Sequence, residues 1–268
     1  MRIAVLVKQV PNPEALGAVL RVDEDARKVV LPPGHPMVMS PFDEQALEAA
    51  LRIRDQLGTQ VGITALTLGP ESARTALKQA LSLGADDAVH LLDPAFDGAD
   101  SYVTAHALEA ALRQLGPVDL VLAGRQAADW DAGVVALGVA EILGLPSIGF
   151  ACAVEASTDS IRVERVLPDG LETFEAALPA VVTVSNELGE VRKPNLRETM
   201  RAARKPVATW SAAEIGLEAR QLAARRTLAR LYLPQKRAQC EWIEAATAAE
   251  RGARLAQRLY AEHLIPSS

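Results

Sequence analysis

The chain has 268 residues, 49% apolar and 23% charged, with a net charge of −6, a size and mix that suit one large globular domain with appendages. The negative balance and a pI near 5.4 count against general nucleic-acid binding, which needs a basic face. Two distant cysteines, Cys152 and Cys240, with no CxxC, argue against a disulfide framework or structural zinc and for a reducing, cytoplasmic setting.

Met1-Arg2 runs straight into apolar sequence, so no leader is expected. The run 3–7 reads as a central parallel strand, covered on both faces. Residues 20–31 hold two short strands around a polar turn at 23–26, a hairpin inserted after that first strand. A stiff Pro/Gly loop over 32–36 follows. Ser40, Pro41, Asp43 and Glu44 then open a helix that runs to Gly58: a capping hydroxyl, a proline suited to the first position and two acids in the first turn.

Strand and helix alternate from there: strand 61–66, a small-residue loop 67–70, helix 71–83, strand 88–92, a helix over 100–115 capped by Asp100, and strand 118–122. That rhythm predicts a parallel sheet with helices on both faces, and ligands of such sheets lie beyond the carboxyl ends of the strands. Ala123 and Gly124 then let the chain turn, and a helical pattern begins near Asp131. Strand, small-residue loop and helix N-terminus present free backbone N–H groups and the positive end of a helix dipole, which suit a phosphate. The plain alternative is an ordinary connection in which Asp131 caps the helix. Neither a dinucleotide glycine fingerprint nor a P-loop is present.

After residue 148 the character changes. Segments 151–155, 161–166 and 171–177 alternate between turn signals and predict an antiparallel ribbon, followed by a buried strand over 180–185. Residues 186–206 are polar and basic, with Leu196 and Met200 set among Arg192, Lys193, Arg197, Arg201, Arg204 and Lys205. A charge run of this kind is usually a solvated surface; its functional reading is a docking segment for an acidic partner, with Leu196 as apolar anchor. From residue 209 the α/β rhythm stops. A short helical turn is expected over 211–216, an extended piece over 231–233, and an amphipathic helix over 246–263. The organisation expected is therefore a nucleotide-binding domain over 1–206 that includes the docking loop, and a C-terminal arm over 207–268 that packs on a partner.

The chemistry visible in the residues is sparse. His35, His90, His106 and His263 have no metal-ligand spacing, and no nucleophile elbow or activated cysteine context occurs. The most apolar long window, 137–154, holds Glu141 and Pro146 and does not read as a membrane span. Asp129 and Asp131 could be taken for paired carboxylates, but two acids beside a helix start more often bind ribose or backbone N–H groups. These features point to a binding or carrier protein without catalytic residues of its own. A nucleotide sensor of the universal-stress type is the rival reading, against which the ribbon and the arm count. A hydrolase or ligase on the same sheet would need a phosphate loop after the first strand, and Val7-Lys8-Gln9-Val10 supplies none.

Several stretches carry a resemblance: VLVKQV, SPFDEQALEAALR, TLGPESARTALKQALSLGADDAVHL, DLVLAGRQAADWD, RVERVLPDGLETFEAALPAVVTVSNE and PNLRETMRAARKP. Together they cover nearly the whole length, and the chain resembles the beta subunits of electron transfer flavoproteins. The resemblance implies an adenine-nucleotide alpha-hydrolase-like sheet and a heterodimer whose alpha subunit holds the redox-active FAD. It implies electron transfer from flavoprotein dehydrogenases to a quinone reductase or other acceptor. The beta subunit would hold a structural AMP or, in a bifurcating branch, a second FAD. Carried over by position, the nucleotide pocket involves Leu6, Val7, Ser40, Leu68, Gly124, Ala127, Asp129, Asp131, Gly133, Val134 and Val135, with Phe42 towards the flavin. The partner-anchoring loop falls on Leu196 and Met200 with Arg201, Arg204 and Lys205. Two departures stand out. Ser40 replaces a common asparagine, and Gly133-Val134-Val135 lacks the polar side chains that many members carry at the phosphate end, so a phosphate must rely on backbone N–H groups.

Overall fold

In the computed structural model, residues 1–16, 20–58, 60–234 and 240–265 are described, and the chain divides into two compact units, Met1–Leu231 and Tyr232–Ser268. The first unit is built on a nine-stranded sheet. Its middle is parallel: β12 (Ala180–Val184), β8 (Leu120–Gly124), β1 (Arg2–Leu6), β6 (Gly62–Leu68), β7 (Asp87–Leu91) and β13 (Ala208–Trp210) lie side by side in that order. On the other edge β9 (Ser147–Ala156) runs parallel to β12, and β10 (Ser160–Leu167) and β11 (Gly170–Ala177) extend the sheet antiparallel. The expected ribbon is thus a continuation of the main sheet. Short strands β2 (Gln9–Pro11) and β5 (Met37–Met39) form a separate antiparallel pair, and β3 (Arg21–Asp23) with β4 (Lys28–Val30) makes the expected hairpin. The four-residue helix α1 (Pro13–Leu16) lies between β2 and the hairpin.

Alternation along each strand divides the core in two. Ile3 and Val5 of β1, Ile63 and Ala65 of β6 and Leu120 and Leu122 of β8 face the helices α2 (Pro41–Leu57) and α3 (Arg74–Leu83). Ala4 and Leu6, Leu66, and Val121 and Ala123 face α4 (Ser101–Leu115) and α5 (Val135–Leu143) on the other side. Fully buried leucines such as Leu47 and Leu51 each contribute roughly 1.5–3 kcal/mol of transfer free energy. With few aromatics the layers are held by small residues: a Cβ on Gly138 of α5 would lie 3.1 Å from that of Ala105 in α4. Asp100 caps α4 as expected, accepting from the Val103 N–H at 3.0 Å.

Three features depart from expectation. The helix expected from Asp131 begins at Val135. Within the basic segment, residues 196–204 are not loop but a nine-residue helix, α6 (Leu196–Arg204). Beyond it, β13 adds a last parallel strand against β7 after the rhythm has faded in sequence. In the second unit α7 (Ala248–Ala261) starts from a capping box between Thr247 and Glu250; Leu255 and Tyr260 remain exposed.

This topology fixes where a ligand can sit. From β1 the chain proceeds to β6 and β7 on one side, then returns to β8 and β12 on the other. The crevice between the carboxyl ends of β1 and β8 is therefore the switch point of the sheet, the usual ligand position in open α/β folds.

Candidate functional site: a backbone cradle at the switch point

One carboxylate closes the crevice. At the start of α2, Ser40 donates its N–H to the Lys8 carbonyl at 2.8 Å, and the Ser40 carbonyl accepts from the N–H groups of Asp43 and Glu44. The helix start is thereby drawn against the end of β1. Asp43 then turns inward: Oδ2 accepts from the Lys8 N–H at 2.7 Å and Oδ1 from the Gly124 N–H at 3.0 Å. A single side chain joins the ends of β1 and β8. Only glycine fits opposite it, because a Cβ on Gly124 would lie 2.6 Å from Asp43 Oδ1 and 2.6 Å from Phe42 Cβ. Burial pushes the Asp43 carboxyl up to about 7, against the pull of the two N–H groups and the Lys8 charge and with a small further push from Asp129.

Above this staple the loop after β8 folds back. Lys8 Nζ pairs with both carboxylate oxygens of Asp129, at 2.8 and 2.7 Å. The side chains are 44% and 19% exposed, so the pair contributes no more than about 1 kcal/mol. Its effect is to fix the loop over the end of β1. Asp131 donates its N–H to the Ala127 carbonyl at 2.9 Å, and its Oδ1 accepts from Gln126 Nε2 at 2.9 Å.

Asp131 (φ 50°) and Gly133 (φ 63°) are both left-handed, and these two reversals delay the helix to Val135. Asp131 therefore does not cap it. The N-cap position belongs to Val134, and no side chain caps the helix. The first-turn N–H groups of α5 have no partner within their own helix, and the positive end of its dipole lies with them.

The expected pocket residues fall together at this end of the sheet. Leu6 and Val7 are buried, the Val7 N–H donating to the Leu66 carbonyl at 2.8 Å. Leu68 ends the neighbouring strand, half-buried. Ser40 is fully buried and its Oγ has no hydrogen-bond partner, while Ala127 and Gly133 line the returning loop, half-buried. Phe42 lies beneath Arg125, whose guanidinium carbon is 5.1 Å from the Phe42 ring centre and 5.6 Å from that of Phe150. Arg125 also donates to Ser185 Oγ at 3.2 Å.

Sequence reading missed the staple role of Asp43 and the stacked Arg125. An acid in a first helical turn is normally read as a complement to the dipole, and nothing local marks it as buried. The combination of Gly124 at a strand end with an acid just after Ser-Pro is the one signal available.

The residues expected to dock a partner lie elsewhere. Leu196 and Met200 stand 78% and 56% exposed on α6, and Arg201 and Arg204 occupy its last turn, where cations suit the helix dipole. Asn195 Oδ1 accepts from the Glu198 N–H at 2.9 Å while the Glu198 carboxylate receives the Asn195 N–H at 3.3 Å. The Asn-x-x-Glu spacing of this capping box was the sequence signal for the helix.

The chain matches the family model described as electron transfer flavoprotein domain over residues 28–215. It is 40% identical over 205 residues to the electron transfer flavoprotein subunit beta of Thermoanaerobacterium thermosaccharolyticum, covering 76% of each chain. It is 38% identical over 225 residues to protein FixA of Azorhizobium caulinodans, covering 81% of this chain and 78% of that one. Similarity to the caffeyl-CoA reductase–Etf complex subunit CarD of Acetobacterium woodii, at 35% identity, runs over 99% of this chain and 100% of that one.

Proposed function

Because this chain belongs to the electron transfer flavoprotein family, among its beta subunits, we propose that it works as an electron-carrier subunit with an alpha partner, and that its switch-point cradle holds the phosphate of a structural AMP. The observation that carries the nucleotide assignment is the start of α5. It is a nine-residue helix at the switch point with valine at its N-cap and no capping side chain. Backbone N–H groups and a helix dipole hold a phosphate without polar side chains, which is the chemistry that Gly133-Val134-Val135 leaves available.

In this reading the residues divide the work. Asp43 and Gly124 hold the ends of β1 and β8 at fixed separation, and the Lys8–Asp129 pair holds the returning loop over them. Gly133 allows the close approach of chain to chain, since a Cβ there would meet the Arg125 carbonyl at 3.0 Å. Phe42 and Arg125 form a cation–aromatic stack at the edge of the cradle. The redox-active FAD of the heterodimer supplies the electron chemistry when bound, and this chain contributes binding and orientation. Leu196 and Met200, flanked by Arg197, Arg201 and Arg204, would meet an acidic surface with an apolar pocket on a donor dehydrogenase. A quinone reductase or another acceptor would take the electrons onward, and the setting is cytoplasmic. No helix among the described residues is long and apolar enough to cross a membrane.

A second reading has its own support. A relative that matches over nearly the full length is named as a subunit of a caffeyl-CoA reductase–Etf complex, and a second FAD in the same cradle, as in a bifurcating flavoprotein, would use the same backbone donors. Co-expression with the alpha subunit tests the core proposal. A yellow heterodimer that a flavoprotein dehydrogenase reduces is the expected product. A pair without flavin, or one that no dehydrogenase reduces, overturns it.

A further inference from the structure

The proposed docking helix α6 holds Leu196 and Met200 exposed, yet it is firmly tied at its far end. Lys78, half-buried on α3, directs its ammonium at the C-terminus of α6. Nζ donates to the carbonyls of Ala202 at 3.1 Å, Ala203 at 3.0 Å and Lys205 at 2.6 Å. These carbonyls lie at and just past the helix end, where backbone acceptors lack their full set of helical partners; that of Ala202 also accepts the Lys205 N–H at 3.2 Å, and a cation there answers the negative end of the dipole. The tie is returned from the other side. Lys205 Nζ, just past α6, donates to the carbonyls of Ala85 and Asp86, both at 2.9 Å, in the turn that follows α3. Between the two lysines Ala202 is buried at 2% exposure against the core, small enough for close approach of the helices.

The chain entering α6 is strapped as well. Glu48 of α2 accepts from Arg192 through its backbone N–H, Nε and Nη2, and from Arg52 Nε. Arg52 in turn donates to the Leu188 and Glu190 carbonyls, at 3.0 and 2.9 Å, and Gln45 donates to that of Gly189 at 2.9 Å.

We propose that Lys78 and Lys205 form a reciprocal clasp that sets the angle at which α6 presents Leu196 and Met200 to a donor flavoprotein, which makes Lys78 a positioning residue for docking. The inference rests on the docking role assigned to α6 above. A surface charge run that merely kept the protein soluble would need no such clasp. Neither lysine reaches outward: both spend their hydrogen bonds on carbonyls, each across the junction of α6 and α3. The geometry leaves the Leu196 end projecting and the Arg204 end fixed, so a partner meets an oriented helix instead of a mobile loop and loses less conformational freedom on binding.

The test uses the heterodimer with Lys78→Met, Lys78→Arg and Leu196→Ala in parallel. Amide hydrogen exchange of residues 196–204 reads the clasp without any partner. KM and kcat for the dehydrogenase that reduces the wild-type heterodimer read docking. Lys78→Met should raise exchange across α6 at least tenfold and raise KM with kcat and nucleotide content unchanged. Lys78→Arg, which keeps a cation with several donors, should restore both. Should Lys78→Met fail to accumulate, Lys205→Gln makes the same cut from the other side. Unchanged exchange in α6 overturns the clasp, and raised exchange with unchanged KM overturns its role in presentation while Leu196→Ala still raises KM. If Leu196→Ala leaves KM unchanged, the docking reading falls instead, and the exchange result still decides the clasp.

Discussion

The cradle and α6 solve opposite problems with opposite materials. The cradle is made of backbone: two buried strand ends, a glycine and an uncapped helix start, closed by one inward carboxylate. Its parts tolerate almost no change of volume, because protein interiors are close-packed. Helix α6 keeps Leu196 and Met200 in solvent and is held by long side chains reaching backbone carbonyls around its ends. An enclosed crevice and an exposed, oriented helix can thus share one sheet, provided that each is fixed by groups the other does not use. Helix α2 serves both, with Asp43 at its start closing the cradle and Glu48 further along holding the chain that leads to α6.

The largest effect expected is for Gly124→Ala. Its Cβ has no room between Asp43 Oδ1 and Phe42, and overpacking of this kind costs about 1–3 kcal/mol or more. Urea denaturation should show that loss together with loss of bound nucleotide. A variant as stable as wild type would mean that the strand ends can separate freely, and the contrast between the regions would fail.

The next effect comes from pH. Folding moves the Asp43 carboxyl from its ordinary value of 3.8 to about 7, so the folded protein takes up a proton across that window. The contribution of this group to stability is therefore fully present below about pH 4 and is lost as pH rises towards 7. Measured against Asp43→Asn, the wild-type Tm should fall more steeply between pH 5 and 7; parallel curves would show that the buried carboxyl does not titrate there. Glu48 has the opposite sign. Burial pushes it up, but hydrogen bonds from Arg192 and Arg52 outweigh this and hold it below its ordinary 4.5. Its strap is present above that value and lost as pH falls below it, so exchange at residues 188–192 should rise under acid conditions while the cradle holds. Opening of both regions together would contradict their independence.

Charge at α6 should matter for partners more than for folding. Replacing Arg201 and Arg204 by Gln should raise KM for a donor dehydrogenase several-fold at low salt and flatten its salt dependence, since exposed charges act mainly on encounter. The smallest effect expected is that of Leu196→Ala on stability. An anchor 78% exposed should change the unfolding free energy by less than about 0.5 kcal/mol, even as transfer from a partner weakens. A large loss of stability would place Leu196 in the fold.

How far the sequence could be read follows the same division. Apolar runs such as 3–7 and 118–122 announced the parallel strands because burial on both faces leaves an unbroken hydrophobic signature. The switch point followed from strand order and small residues. The start of α5 was misplaced by four residues because left-handed Asp131 and Gly133 interrupt a stretch whose polar and small residues look helical. The helix over 196–204 is hard to see in sequence because its stabilising contacts, Lys78 above all, come from distant sequence, and the capping box is the one local clue. Asp43 was visible as an acid but not as a staple, since its two N–H partners lie 35 and 81 residues away.

The proposed adenine-nucleotide cradle at the switch point rests on the uncapped start of α5. Mass spectrometry of the nucleotides released from the denatured heterodimer tests it most directly. One FAD and one AMP per heterodimer is the predicted result. Two FADs would keep the cradle and exchange its occupant, whereas a single FAD with no further adenine nucleotide would contradict the account.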